Sequence, residues 1–195
     1  MNYLIKTVQP TSEPVSLAEA QLHLRLDTVG SPPSHPDDTL VQTLISASRE
    51  NAEQYTGVTI AQASYKVKSP VVSEQVSLQT HPVNSIASVT YEDSDGAVQT
   101  VSPSLYTLDN FQRPARLVFK SDSPGYDLTV SFTAGYTDGE SPNLYPCPAG
   151  VKAAMLLLIG HLYENREAVN VGNIVSQYPL GFLYLLNPHR INMGL

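Results

Sequence analysis

Five histidines, one cysteine and a few clustered carboxylates are the groups in this chain that could do chemistry, and their spacing supports little of it. His23, His35, His81, His161 and His189 are scattered, with no pairing at metal-ligand spacing. His161 falls on a predicted helix, where a hydrogen-bonded interior or interface histidine is expected. Cys147 stands in a proline-flanked loop just before that helix, whose N-terminus would lower a thiol pKa. Nothing in the sequence nominates a histidine to serve it as a base. Asp93-Ser94-Asp95-Gly96 looks like half of a calcium loop but lacks the third acid in phase and the closing glutamate, so a hairpin turn is expected. Glu164 and Glu167 could be an acid/base pair; flanked by Arg166, they read instead as a solvated or inter-subunit charged end. Phosphate-loop, dinucleotide, nucleophile-elbow and zinc-protease motifs do not occur. No catalysis, cofactor or metal is expected. Gln112 to Arg116 (QRPAR) forms a local basic cluster, either an exposed hairpin loop or a contact to an acidic partner or DNA phosphate.

Composition narrows the classes further. With 195 residues the chain has room for one domain, or a small one carrying an insertion. A chain of this size buries roughly 70% of its unfolded surface, enough for a core without staples. The net charge of −7 argues against a nucleic-acid coat, which needs a basic stripe, but not against a channel through which DNA slides. A single cysteine excludes an internal disulfide. MNYLIKTVQP has one lysine and a short apolar run, so no signal peptide is read there. The longest apolar run, Ala153 to Gly160, is far below the roughly 20 residues of a membrane span. A soluble protein made in a reducing cytoplasm is expected.

The elements that must position these groups fall into two textures. Residues 1 to 14 read as extended. Ser16, with Glu19 three residues on, marks a capping box for a helix from about Leu17 to Leu26. After a loop rich in proline, Asp37 or Asp38 can cap a second helix that Gly57 ends. Arg49 and Glu53, four apart, are placed on its wet side. From about Ile60 to Tyr136 the period is near 2, and seven strands are expected, starting with Ser64 to Ser69 and ending with Leu128 to Thr133. Short strands with frequent turns suggest an antiparallel sheet or small sandwich. Pro148 to Val169 then forms a long helix, apolar nearly all round, which its own domain or a neighbouring subunit must cover. Asn170 to Ser176 reads as a connection, and Pro179 to Leu186 as a short final helix. The expected fold is α+β: a bundle of about four helices with an antiparallel β domain inserted between the second and third. Its spans are 1–59 (helical pair), 60–137 (β domain) and 138–195 (remaining helices).

PVSLAEAQLHLRLD (Pro14 to Asp27), the Asp37 to Gly57 helix, His81 to Val101, VSFTAGY (Val130 to Tyr136) and AAMLLLIGHLYENREAV (Ala153 to Val169) follow the order found in tailed-phage head–tail connector proteins. Over roughly Pro14 to Pro188 the chain resembles that family, the adaptor proteins of the virion neck. The resemblance implies a ring, commonly twelvefold, assembled in the host bacterial cytoplasm and docked beneath the portal. Such a ring extends the DNA channel, passes DNA without specific binding, and offers the tail or a stopper protein a seat. No membrane partner is expected, since no apolar run is long enough to span a bilayer. Carried onto this chain, the resemblance makes His161, Tyr163, Glu164, Arg166 and Glu167 candidates for inter-subunit contact. Pro179, Phe182, Leu183, Leu186, His189 and Arg190 become candidates for portal contact. A tail-side or neck-completion protein is an alternative. So is a ligand-binding module on the β domain, which would need Tyr91, Tyr106, Tyr126 and Tyr136 as an aromatic platform.

Overall fold

Ser16 starts the first helix as its neighbours require. Its hydroxyl accepts the Glu19 amide at 3.2 Å, and the Glu19 carboxylate accepts the Ser16 amide at 2.7 Å. Those bonds to Ser16 hold the Glu19 carboxyl below its ordinary pKa. The structure, a computed structural model, describes residues 3–70, 74–120, 126–137, 145–166 and 180–191. The chain divides into two compact units, one of Met1–Ser12, Gly57–Pro146 and Ile191–Leu195, the other of Glu13–Thr56 and Cys147–Arg190.

The second unit is helical: α1 (Leu17–Leu24), α2 (Asp38–Thr56), α3 (Ala149–Glu164) and α4 (Leu180–Leu186). α1 stops two residues short of the expected Leu26, because Arg25 turns left-handed at φ 56° and caps the carbonyls of Gln21 and Leu22. Gly57, at φ +70°, follows the end of α2 as its position suggests. Val151, Ala154, Met155, Leu158 and Ile159 of α3 are buried, and α1, α2 and α4 all pack on this helix. Its all-round apolarity is thus met mostly inside its own unit. Ala153 and Leu157 form the stripe left open.

Arg49 departs from expectation. It is not on the wet side of α2 but 3% exposed. Its Nε donates to Glu13 at 2.8 Å and its Nη1 to Glu53 at 3.0 Å, while Ser46 also donates to Glu13 at 3.0 Å. Burial opposes the guanidinium's charge, and the carboxylates of Glu53 and Glu13 outweigh it, so its pKa is raised. Glu13 lies 36 residues earlier, beyond the reach of any helical spacing rule.

The first unit is a β-sandwich. Its strands are β1 (Tyr3–Val8), β2 (Ala63–Ser69), β3 (Gln75–Ser77), β4 (Val83–Glu92), β5 (Val98–Thr100), β6 (Tyr106–Asp109), β7 (Arg116–Phe119) and β8 (Tyr126–Ala134). They form one sheet in the order β1-β2-β8-β4-β5 and another in the order β3-β7-β6, antiparallel throughout. The extended head of the chain, within the span expected as a helical pair, is β1 and pairs with β2. Period-2 alternation sends Tyr65 and Val67 of β2, and Leu128, Val130 and Phe132 of β8, inward. There they join Val76, Leu117 and Phe119 of the smaller sheet in one core. Tyr65 stacks on Phe132 with ring centroids 5.8 Å apart.

The sandwich also buries His81, 5% exposed, just before β4. Burial, helped by the Arg113 charge, lowers its pKa from 6.5 to about 4. The imidazole is therefore neutral in the folded chain where the unfolded chain already takes a proton. Stability from this group is complete above about pH 6.5, falls as pH drops towards 4, and is constant below that. The total is about 3 kcal/mol at most. Urea unfolding at steps between pH 7 and 4 should show this decline, and His81→Gln should flatten it. Glu19, Asp37 and Asp93, whose pKa values are lowered, give up their contributions further into acid, below the ordinary carboxylate range.

Candidate interaction surface

The charged end of α3 was the first candidate surface, and the structure ties part of it down. The Tyr163 hydroxyl donates to Asp37 Oδ2 at 2.6 Å, and Arg166 Nη2 donates to the same oxygen at 2.7 Å. Arg166 also lies over the Tyr163 ring, 4.5 Å from its centroid. Tyr163 and Arg166 together hold the Asp37 carboxyl below its ordinary pKa, and Asp37 pushes the Tyr163 phenol up. Asp37 thus spends its side chain on α3, while Asp38 caps the turn before α2 by accepting the His35 amide at 2.9 Å. Tyr163 and Arg166 lock a loop of their own unit onto α3. His161 is half-buried and its carbonyl accepts both Asn165 nitrogens. Glu164 is exposed. Glu167 lies outside the described residues.

Candidates around α4 need a larger correction. Phe182 and Leu186 are 1% and 0% exposed, part of the helical core. The open face of α4 carries Leu180, 83% exposed, and Tyr184, 78% exposed. Both pairs are four residues apart on an apolar helix, so either could have been the inner one. Leu183 and Arg190 do reach a surface: with Asn51, Gln54, Tyr55 and Phe182 they line a groove of about 320 Å³. Arg190 lies over the Tyr55 ring at 5.4 Å, and the Tyr55 hydroxyl donates to Asn187 at 2.5 Å. The His189 ring lies beside Gly150 of α3. Pro179 is outside the described residues.

Other chemical candidates resolve simply. Burial pushes the Cys147 thiol up to about 11, against the lowering expected from the helix N-terminus, with Lys152 opposing only weakly. Asp93 closes the β4–β5 turn by accepting the amides of Asp95 and Ala97 and the Gln99 side chain. Only Gly96 there has a positive φ, at 78°. No group of three or more His, Cys, Asp or Glu among the described residues could hold a metal. Tyr91 and Tyr106 pack against the sandwich core, which removes two members of the supposed aromatic platform.

No family model matches the chain, and no curated protein does. Solved structures do. A chain in the neck of an empty gene transfer agent particle, computed with C6 symmetry, superposes with a TM-score of 0.76 at 20% identity, over 99% of this chain and 97% of that one. A chain in the virion of the native particle gives 0.75 at 19% identity, over 98% and 97%. One in the neck of the native particle, computed with C12 symmetry, gives 0.74 at 19% identity, over 99% and 97%. The fold is that of these chains, helices and β-sandwich together.

Proposed function

We propose that this chain is a structural neck protein that forms a ring below the portal, extends the DNA channel and seats the tail or a stopper. The observation that carries this reading is the extent of the fold match, 99% of this chain and 97% of a gene transfer agent neck chain. Neck structures computed with sixfold and twelvefold symmetry support a ring. A net charge of −7 suits a channel wall that must let DNA slide past. The work done is binding, with no reaction and no cofactor. It takes place in the virion neck after synthesis in the host cytoplasm.

Within this reading the portal-facing role passes from Phe182 and Leu186 to Leu180 and Tyr184, with Leu183 and Arg190 beside them. The double change Leu180→Asp and Tyr184→Asp should leave urea stability within about 0.5 kcal/mol, because both side chains are already exposed. It should reduce co-elution with the portal by at least tenfold. At particle level, removing the chain should give filled heads without tails. Tailed, infectious particles without it would refute the neck assignment.

A further inference from the structure

We infer that the loop joining β6 to β7, Asn110 to Ala115, anchors a tail-side protein of the neck. Phe111 enters an apolar pocket on that partner, and Arg113 pairs with a carboxylate on the pocket's rim. The inference rests on the neck reading and names the surface that seats the next component.

Three observations carry it. First, Phe111 is 102% exposed, yet the loop that holds it is braced on both sides. Its amide donates to Asp109 Oδ1 at 3.0 Å. Asn110 accepts the Val83 amide at 3.1 Å and donates to the Val83 carbonyl and, at 3.3 Å, to the Tyr145 hydroxyl. At the far foot Ala115 is buried, and its amide donates to the Thr80 carbonyl at 3.0 Å. A bare phenyl ring on a braced loop is preorganised, with little ordering entropy left to lose on binding.

Second, the fold gathers the residue types that dominate interface energetics. Tyr145, 38% exposed, stacks tilted against His81 with ring centroids 5.9 Å apart, and the Arg113 charge acts on the same imidazole. Phe111, Arg113 and Tyr145 therefore share one end of the sandwich. Third, the charge of Arg113 is unmet: it has no carboxylate partner among the described residues.

The same features select the partner. Arg116, the other cation of the cluster, donates to Gln75 at 3.0 Å, so a single guanidinium remains beside two rings. Duplex DNA calls for a row of cations, and a protein pocket does not. A second copy fits poorly, because the groove beside α4 is lined by Arg190 and by no carboxylate. The portal-facing role lies on α4 of the helical unit, whereas this loop belongs to the other unit.

The test mixes filled heads carrying the ring with tails purified from the same particle and counts the joined fraction. Phe111→Ala should raise the tail concentration for half-joining by about thirtyfold, the size of a strong anchor. Arg113→Glu should do at least as much, and Gln112→Ala, exposed in the same loop, should change nothing. All three should keep the urea midpoint and the ring density on the head. Normal joining by both the Phe111 and Arg113 variants would overturn the anchor and leave the neck reading intact. Loss of the ring from the head would make the loop an inter-subunit or portal contact, and altered DNA retention with normal joining would assign it to DNA; either overturns the inference. Heads that gain tails without this chain would overturn the neck reading itself.

Discussion

Replacing Gly135 with alanine is expected to destabilise the protein by about 4 kcal/mol, read as a shift of the urea midpoint at unchanged slope. The value combines about 1–3 kcal/mol for forcing a side chain into a glycine conformation with a similar cost for overpacking. Gly135 sits at φ +128°. A Cβ there would lie 2.6 Å from Gln62 Cα and 2.7 Å from the Ala61 carbonyl, both backbone atoms that cannot swing away. Movement in the other direction is also blocked, since the Gly135 amide donates to Pro82 and its carbonyl accepts Asn84. Gly96→Ala separates the two causes. Gly96 also has a positive φ, 78°, but nothing lies within 4 Å of its Cβ position, so it should lose only about 1 kcal/mol. Equal losses at the two sites would show that the close approach at Gly135 is relieved without penalty.

Arg49→Met should cost about 3–4 kcal/mol, although methionine fills much the same space. The change strands the Glu13 and Glu53 carboxylates, whose side chains are 26% and 13% exposed, without the guanidinium that neutralises them. Glu50 sits 3.5 Å away but is 67% exposed and loses little. Adding Glu13→Gln and Glu53→Gln to Arg49→Met should restore part of the loss, because the penalty comes from unpaired charge more than from the bonds themselves. A loss below about 0.5 kcal/mol in urea unfolding, the size of an exposed i,i+4 pair, would place Arg49 on the surface after all.

These two residues show how far the sequence could be read. Gly135 lies in FTAGY, a segment that stood out only through resemblance, and the contact with Ala61 and Gln62 explains why glycine is needed there. The Ser16 capping box, Gly57, and the strands Tyr106–Asp109 and Arg116–Phe119 rest on local rules, and they appear where those rules put them. Local rules put Arg49 on the surface because Glu53 is a sufficient partner four residues on, while Glu13 reaches it only through the tertiary fold. The same limit hid the Asp37–Tyr163 bond, which spans 126 positions. At α4 the pattern was symmetric: Leu180 with Tyr184, and Phe182 with Leu186, are equivalent apolar pairs until the packing of α3 selects one. β1 read as extended, but no local pattern names β2 as its partner.

Light scattering of the chain alone, and of the chain mixed with a purified portal protein, measures most directly whether its copies close into a ring. The ring account predicts a species at a fixed multiple of the 21.2 kDa subunit, six or twelve copies, in the mixture if not in the chain alone. A monomer in both samples, with no co-elution, would contradict it.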